Sequence, residues 1–132
     1  MGSAESALSS LANPTPFENY SMIVRLKMRL KRYPSLTPDK DYYVIGISER
    51  YVRLLDDEGE PILFPRPLFK VVEDSIPADW IWDHYDVDAF RADPPGLNVP
   101  GFYERYFDHK QEAIDEFQAY LRSVGLAKGG EA

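Results

Sequence analysis

The run Tyr42–Asp74, YYVIGISERYVRLLDDEGEPILFPRPLFKVVED, constrains this chain more than any other segment. Three stretches rich in β-branched and aromatic residues, Tyr42–Ser48, Tyr51–Leu55 and Ile62–Phe64, are joined by short polar links. Strands this short and this close in sequence have to pair with their neighbours as hairpins. Asp56-Asp57-Glu58-Gly59 makes one turn, with Gly59 supplying the positive φ. Gly46, inside the first strand, predicts a bulge or a sharp bend. Pro65 and Pro67 lack a ladder N–H, so the chain turns or runs along an edge there. A further strand then follows over Leu68–Val72.

Upstream, Met22, Val24, Leu26, Met28 and Leu30 alternate with Ile23, Arg25, Lys27, Arg29 and Lys31. A period of two is the signature of a strand with one dry and one wet face. Wound as a helix, the same residues would scatter charge around the axis. The segment therefore reads as a strand, and Tyr33–Lys40, with Pro34 and Pro38, as a loop. Five strands make the chain mainly β.

The second half reads differently. Ile76–Asp83 opens with Pro77 and is expected to form one helical turn. Residues 84–101 hold Pro94, Pro95, Gly96, Pro100 and Gly101 and are expected to lack regular structure. Asp108 and Gln111 have capping-box spacing and predict a helix over 109–124. Its apolar face is Ala113, Ile114, Phe117, Tyr120, Leu121 and Val124, and Gly125 is its stop. Phe102, Tyr103, Tyr106 and Phe107 are expected to be mostly core, docking this helix on the strands. A chain of 132 residues is the size of one domain. It is placed at 17–126, between a flexible leader, 1–16, and a flexible tail, 127–132.

With no cysteine, disulfides and thiolate metal sites are excluded. Neither a secretory signal nor an apolar run of roughly 20 residues is visible, so a cytoplasmic protein without a membrane association is expected. The net charge of −7 repels phosphate backbones, which disfavours nucleic acid and favours a basic protein partner. Charge is also segregated. Arg25, Lys27, Arg29, Lys31 and Arg32 crowd one segment, while Glu73, Asp74, Asp79, Asp83, Asp86, Asp88 and Asp93 follow later, with Arg91 opposing them.

Catalytic chemistry has little to build on. His84 and His109 are the two histidines, and no G-x-S-x-G elbow is present. Asp83-His84-Tyr85-Asp86-Val87-Asp88 lacks the glycine and the terminal glutamate of a calcium loop, so it reads as a solvated acidic loop. No phosphate-cradling glycine loop exists. The chain is therefore read as a binder, not an enzyme, with no metal and no cofactor. Its most interesting segment interleaves Trp80, Trp82, Tyr85 and Phe90 with Asp79, Asp83, Asp86 and Asp88. Aromatic anchors ringed by carboxylates suit a basic protein surface. The expected partner-binding set is Asp79, Trp82, Asp83, Tyr85, Asp86 and Asp88. The competing reading sends both tryptophans to the core, and a split, with one inside and the acids outside, is the natural compromise.

With IPADW and PGFYERYFDH following the strand-rich run, the chain resembles small bacterial proteins built on an SH3-like barrel, many of them immunity proteins of polymorphic or contact-dependent toxin systems. The resemblance implies an SH3-like small β-barrel of about five strands plus a C-terminal amphipathic helix. It also implies stoichiometric neutralisation of a cognate toxin by a monomer or homodimer, and it brings no catalytic residues. A different reading is an adaptor or regulatory module that binds a peptide through a barrel edge or an aromatic groove. A groove lined by Tyr42, Tyr51 and Trp80, all facing solvent, would support that reading.

Overall fold

A computed structural model describes residues 22–84 and 89–126. The chain divides into two compact units at the Phe102–Tyr103 bond. The leader and the tail expected from the sequence lie outside the described residues.

The first unit is an antiparallel sheet of seven strands: β1 (Met22–Leu26), β2 (Tyr42–Ser48), β3 (Tyr51–Leu55), β4 (Pro61–Pro65), β5 (Phe69–Asp74), β6 (Ile81–His84) and β7 (Phe90–Asp93). β2 and β3 occupy the residues their composition predicts, and Gly59 closes the β3–β4 turn at φ 80°. The strand order is β4–β3–β2–β1–β5, with β7 also on β2 and β6 beyond it. No pairing joins β4 to β5, so the sheet is open where a closed barrel of five strands was expected. β4 carries Pro61 and Pro65 at its ends, which makes its outer edge a poor ladder.

Gly46 is the bend the sequence announces. The β2–β3 register shifts between Val44 and Gly46. Before the bend, Tyr42 and Tyr43 pair with β1; after it, Ile47 and Ser48 pair with β7. One strand thereby serves two neighbours on one side.

Three expectations are corrected. The alternating strand ends at Leu26: Lys27 N–H still bonds to Leu68 O at 3.0 Å, but Leu68 already belongs to the 3-10 turn before β5 and the ladder goes no further. Met22, Val24 and Leu26 are buried as predicted, but Met28 is 62% exposed. Ile76–Asp83 forms no helix: a turn closed by Trp80 N–H on Pro77 O at 3.2 Å leads straight into β6. Within residues 84–101, expected to be irregular, Phe90–Asp93 forms β7. Its place comes from pairing with Ile47 and Ser48, far upstream, and no local signal announces that partner.

The sheet's buried face holds one core, including Met22, Val24, Leu26, Leu36, Tyr42, Val44, Ile47, Val52, Leu54, Phe64, Phe69, Trp80 and Ala92. Leu36 belongs to the Tyr33–Lys40 loop yet is fully buried. The loop is held by a polar latch centred on Asp57 of the β3–β4 turn. Asp57 accepts hydrogen bonds from Thr37 Oγ1, Lys40 Nζ and Tyr42 Oη, each at 2.7 Å, and its N–H donates to Ser35 O at 2.9 Å. Tyr42 Oη accepts in turn from Thr37 N–H at 2.7 Å. Burial pushes the Tyr42 phenol up to about 12. Desolvation acts against the Asp57 carboxylate, but the bonds from Lys40, Thr37 and Tyr42 outweigh it and hold its pKa below the ordinary value.

The second unit contains most of α1 (Phe102–Phe107) and all of α2 (Gln111–Ser123). Ala113, Phe117 and Leu121 are buried, as the 3.6-residue spacing predicts. Tyr103 and Tyr106 pack their rings on Phe117 at 6.3 and 5.1 Å between centroids, while Phe107 is 43% exposed. The expected capping box does not form. Lys110 is the N-cap and makes no side-chain capping bond, and Gln111 Nε2 instead donates to Asp115 Oδ1 at 2.8 Å. The residues before it terminate α1: His109 N–H bonds to Tyr106 O and Lys110 N–H to Arg105 O, with His109 at φ 62°. This is a Schellman ending with histidine at the position glycine normally takes. α2 ends in the same way, with Gly125 at φ 80°.

Candidate functional site

Of the residues expected to bind a partner, Tyr85, Asp86 and Asp88 lie outside the described residues. The structure places Asp79, Trp82 and Asp83. Asp79 is exposed in the turn before β6. The tryptophans divide as the compromise reading foresaw: Trp80 is 5% exposed in the core, and Trp82 is 45% exposed on β6.

β6 pairs with β7 alone, in the register Ile81↔Asp93, Trp82↔Ala92, Asp83↔Arg91 and His84↔Phe90. Its other side is a free edge among the described residues. Strand alternation sets Trp82 and His84 on one face and Ile81 and Asp83 on the other. On the first face, the Trp82 ring stacks on His84 at 6.3 Å and 13°, and meets Phe90 at 5.5 Å. The indole is therefore exposed but held. On the second face, Arg91 stands across from Asp83 and donates from Nε to Asp93 Oδ2 at 2.7 Å.

Asp93 is the buried carboxylate of the described residues, 5% exposed. Desolvation raises its pKa, with Arg91 and Arg53 opposing that rise and Asp83 adding to it. Gly46 makes room for it, since a Cβ there would lie 2.8 Å from Asp93 Oδ1. Asp83 is thus one member of a charged row with Arg91 and Asp93, not an isolated acid.

Because Trp82 and Asp83 project from opposite faces, a flat partner surface on either face meets only one of them. A partner that meets both must come along the free edge of β6. Sequence reasoning missed this geometry together with β6 and β7, although the alternation in Phe90-Arg91-Ala92-Asp93 was there to be read.

Tyr42, Tyr51 and Trp80 do not line a solvent-facing groove together: Tyr42 is 3% exposed and Trp80 5%, while Tyr51 is 44% exposed. The expected basic strand is likewise dispersed. Only Arg25 lies in β1, where it pairs with Asp41 at 2.6 Å, and Arg29 donates to Leu36 O at 3.2 Å. No cluster of three or more potential metal ligands occurs among the described residues, and no helix among them is long and apolar enough to cross a membrane. Comparison with protein-family models, curated proteins and solved structures gives no match.

Proposed function

We propose that this chain is a non-catalytic, cytoplasmic protein-binding module of the immunity type, which captures a basic protein toxin by stoichiometric contact along the free edge of β6. The observation that carries the proposal is Trp82, an indole 45% exposed yet locked against His84 and Phe90 on a strand edge that is unpaired among the described residues. An anchor already held in place forfeits little side-chain entropy on binding. Asp79 in the preceding turn and Asp83 on the other face of β6 add carboxylates along the same segment, and the net charge of −7 steers a basic partner toward the molecule. The kinship with SH3-like barrels belongs to the same proposal. It is supported by the meander of short strands and by the 3-10 turn Arg66–Leu68 before β5.

A second reading is favoured by the free edge itself: an extended peptide adds to β6 as a further strand, as in adaptor modules. Affinity capture from the host lysate, at low and moderate salt, separates the two. One basic, stoichiometric protein that is lethal when produced alone supports the immunity reading. Unrelated proteins sharing one short segment support the adaptor. In either case Trp82→Ala is expected to weaken capture at least about tenfold. Undiminished capture by that variant would show that the β6 edge is not the binding surface.

A further inference from the structure

A second edge carries its own message. β5 pairs with β1 alone among the described residues, and its other side is free. Phe69–Asp74 contains no proline, unlike β4, and exposes Val71 at 51% and Val72 at 42%. A free strand edge with adjacent exposed valines is a template for another strand.

The register identifies which strand fits. Against β1, the pairs are Leu26↔Phe69, Arg25↔Lys70, Val24↔Val71, Ile23↔Glu73 and Met22↔Asp74, with Val72 bulged out between Ile23 and Val24. Val24 is buried and Arg25 faces outward, so Val71 lies on the core side and Lys70 on the outer side. In a regular strand, Glu73 would sit on the face opposite Lys70, three residues away. The bulge reverses that, because Glu73 pairs with Ile23, which shares its face with Arg25.

This parity matters for a two-fold axis. Such an axis, perpendicular to the sheet between two antiparallel copies of one strand, keeps each residue on its own face. A residue can therefore lie opposite only residues of the same face. Lys70 and Glu73 meet that condition because of the bulge alone. Pairing β5 with a second β5 puts Lys70 of each copy against Glu73 of the other, giving two opposite-charge cross-strand pairs, with the valines at the centre.

We propose that this edge is a homodimer interface, formed by antiparallel pairing of β5 with β5 of a second copy in the register Lys70 against Glu73. It lies on a different strand from the β6 surface and does not depend on that reading.

The test is sedimentation of the full chain across concentration, with charge swaps. The wild type is expected to move from 15.2 kDa toward twice that mass as concentration rises. Lys70→Glu sets two glutamates against each other at both positions and Glu73→Lys sets two lysines, so each is expected to weaken dimerisation at least about tenfold. The double swap restores the pairs and the dimer. Both residues are exposed, so the melting temperature of each dilute variant should match the wild type and exclude misfolding. The proposal is overturned by a wild type that stays at 15.2 kDa at the highest concentration reached, by single swaps that leave dimerisation intact, or by a double swap that fails to restore it.

Discussion

Replacing Asp57 by alanine tests the polar latch that attaches the Tyr33–Lys40 loop to the β3–β4 turn. Three donors lose their acceptor, and they do not count equally. Lys40 is 51% exposed on its side chain, so its ion pair contributes at most a few tenths of a kcal/mol. Thr37 is half-buried and recovers part of its bond from water. Tyr42 is 3% exposed, and its hydroxyl proton has no other acceptor in the latch, which costs about 1–1.5 kcal/mol. The sum is about 2 kcal/mol, or roughly 6–10 °C in melting temperature for a chain of this size. Chemical and thermal denaturation measure it, and a double-mutant cycle with Tyr42→Phe should find most of the coupling in that one contact. The acid limb of the stability curve is a second readout. Asp57 has a folded pKa below the ordinary 3.8, so its contribution is fully present above that value and is lost as pH falls through the lower native one. Asp57→Ala should lack that part of the acid loss. A variant within 0.5 kcal/mol of wild type, with an unchanged acid limb, would refute the reasoning, since that is the ordinary range for surface substitutions.

Other positions make equally definite demands. Gly46→Ala places a methyl group 2.8 Å from Asp93 Oδ1 and should destabilise by about 1–3 kcal/mol in urea titrations, and by less in an Asp93→Ala background. His109→Gly relieves a left-handed residue at the end of α1 and should stabilise the fold by about 0.5–1 kcal/mol, read from the denaturation midpoint. The two tryptophans should behave oppositely: Trp80→Ala is expected to cost about 3–5 kcal/mol of stability, and Trp82→Ala under about 1 kcal/mol while weakening partner capture.

Local sequence determined the elements whose signals are local. β-Branched and aromatic composition between short polar links placed β2 and β3, two-residue alternation placed β1, and 3.6-residue spacing selected Ala113, Phe117 and Leu121 as the buried face of α2. The special backbone positions Gly46, Gly59 and Gly125 were legible because few other residues fit a bulge, a tight turn or a left-handed helix end. At Asp108 and Gln111 the local signal misled, since Asp108, His109 and Lys110 served to end α1, and helix ends compete for the same short polar segments. Tertiary structure decided the rest. β7 has its place because the far half of β2 offered an edge, and β6 because β7 did; alternation can mark a strand, but which distant segment it pairs with leaves no trace in local periodicity. The same pairing separated Trp82 from Asp83 by setting them on opposite faces, so the acids and aromatics that look like one cluster in the chain become a strand edge. Whether an indole is core or surface depends on what the rest of the sheet leaves uncovered: Trp80 was enclosed and its neighbour but one was left outside.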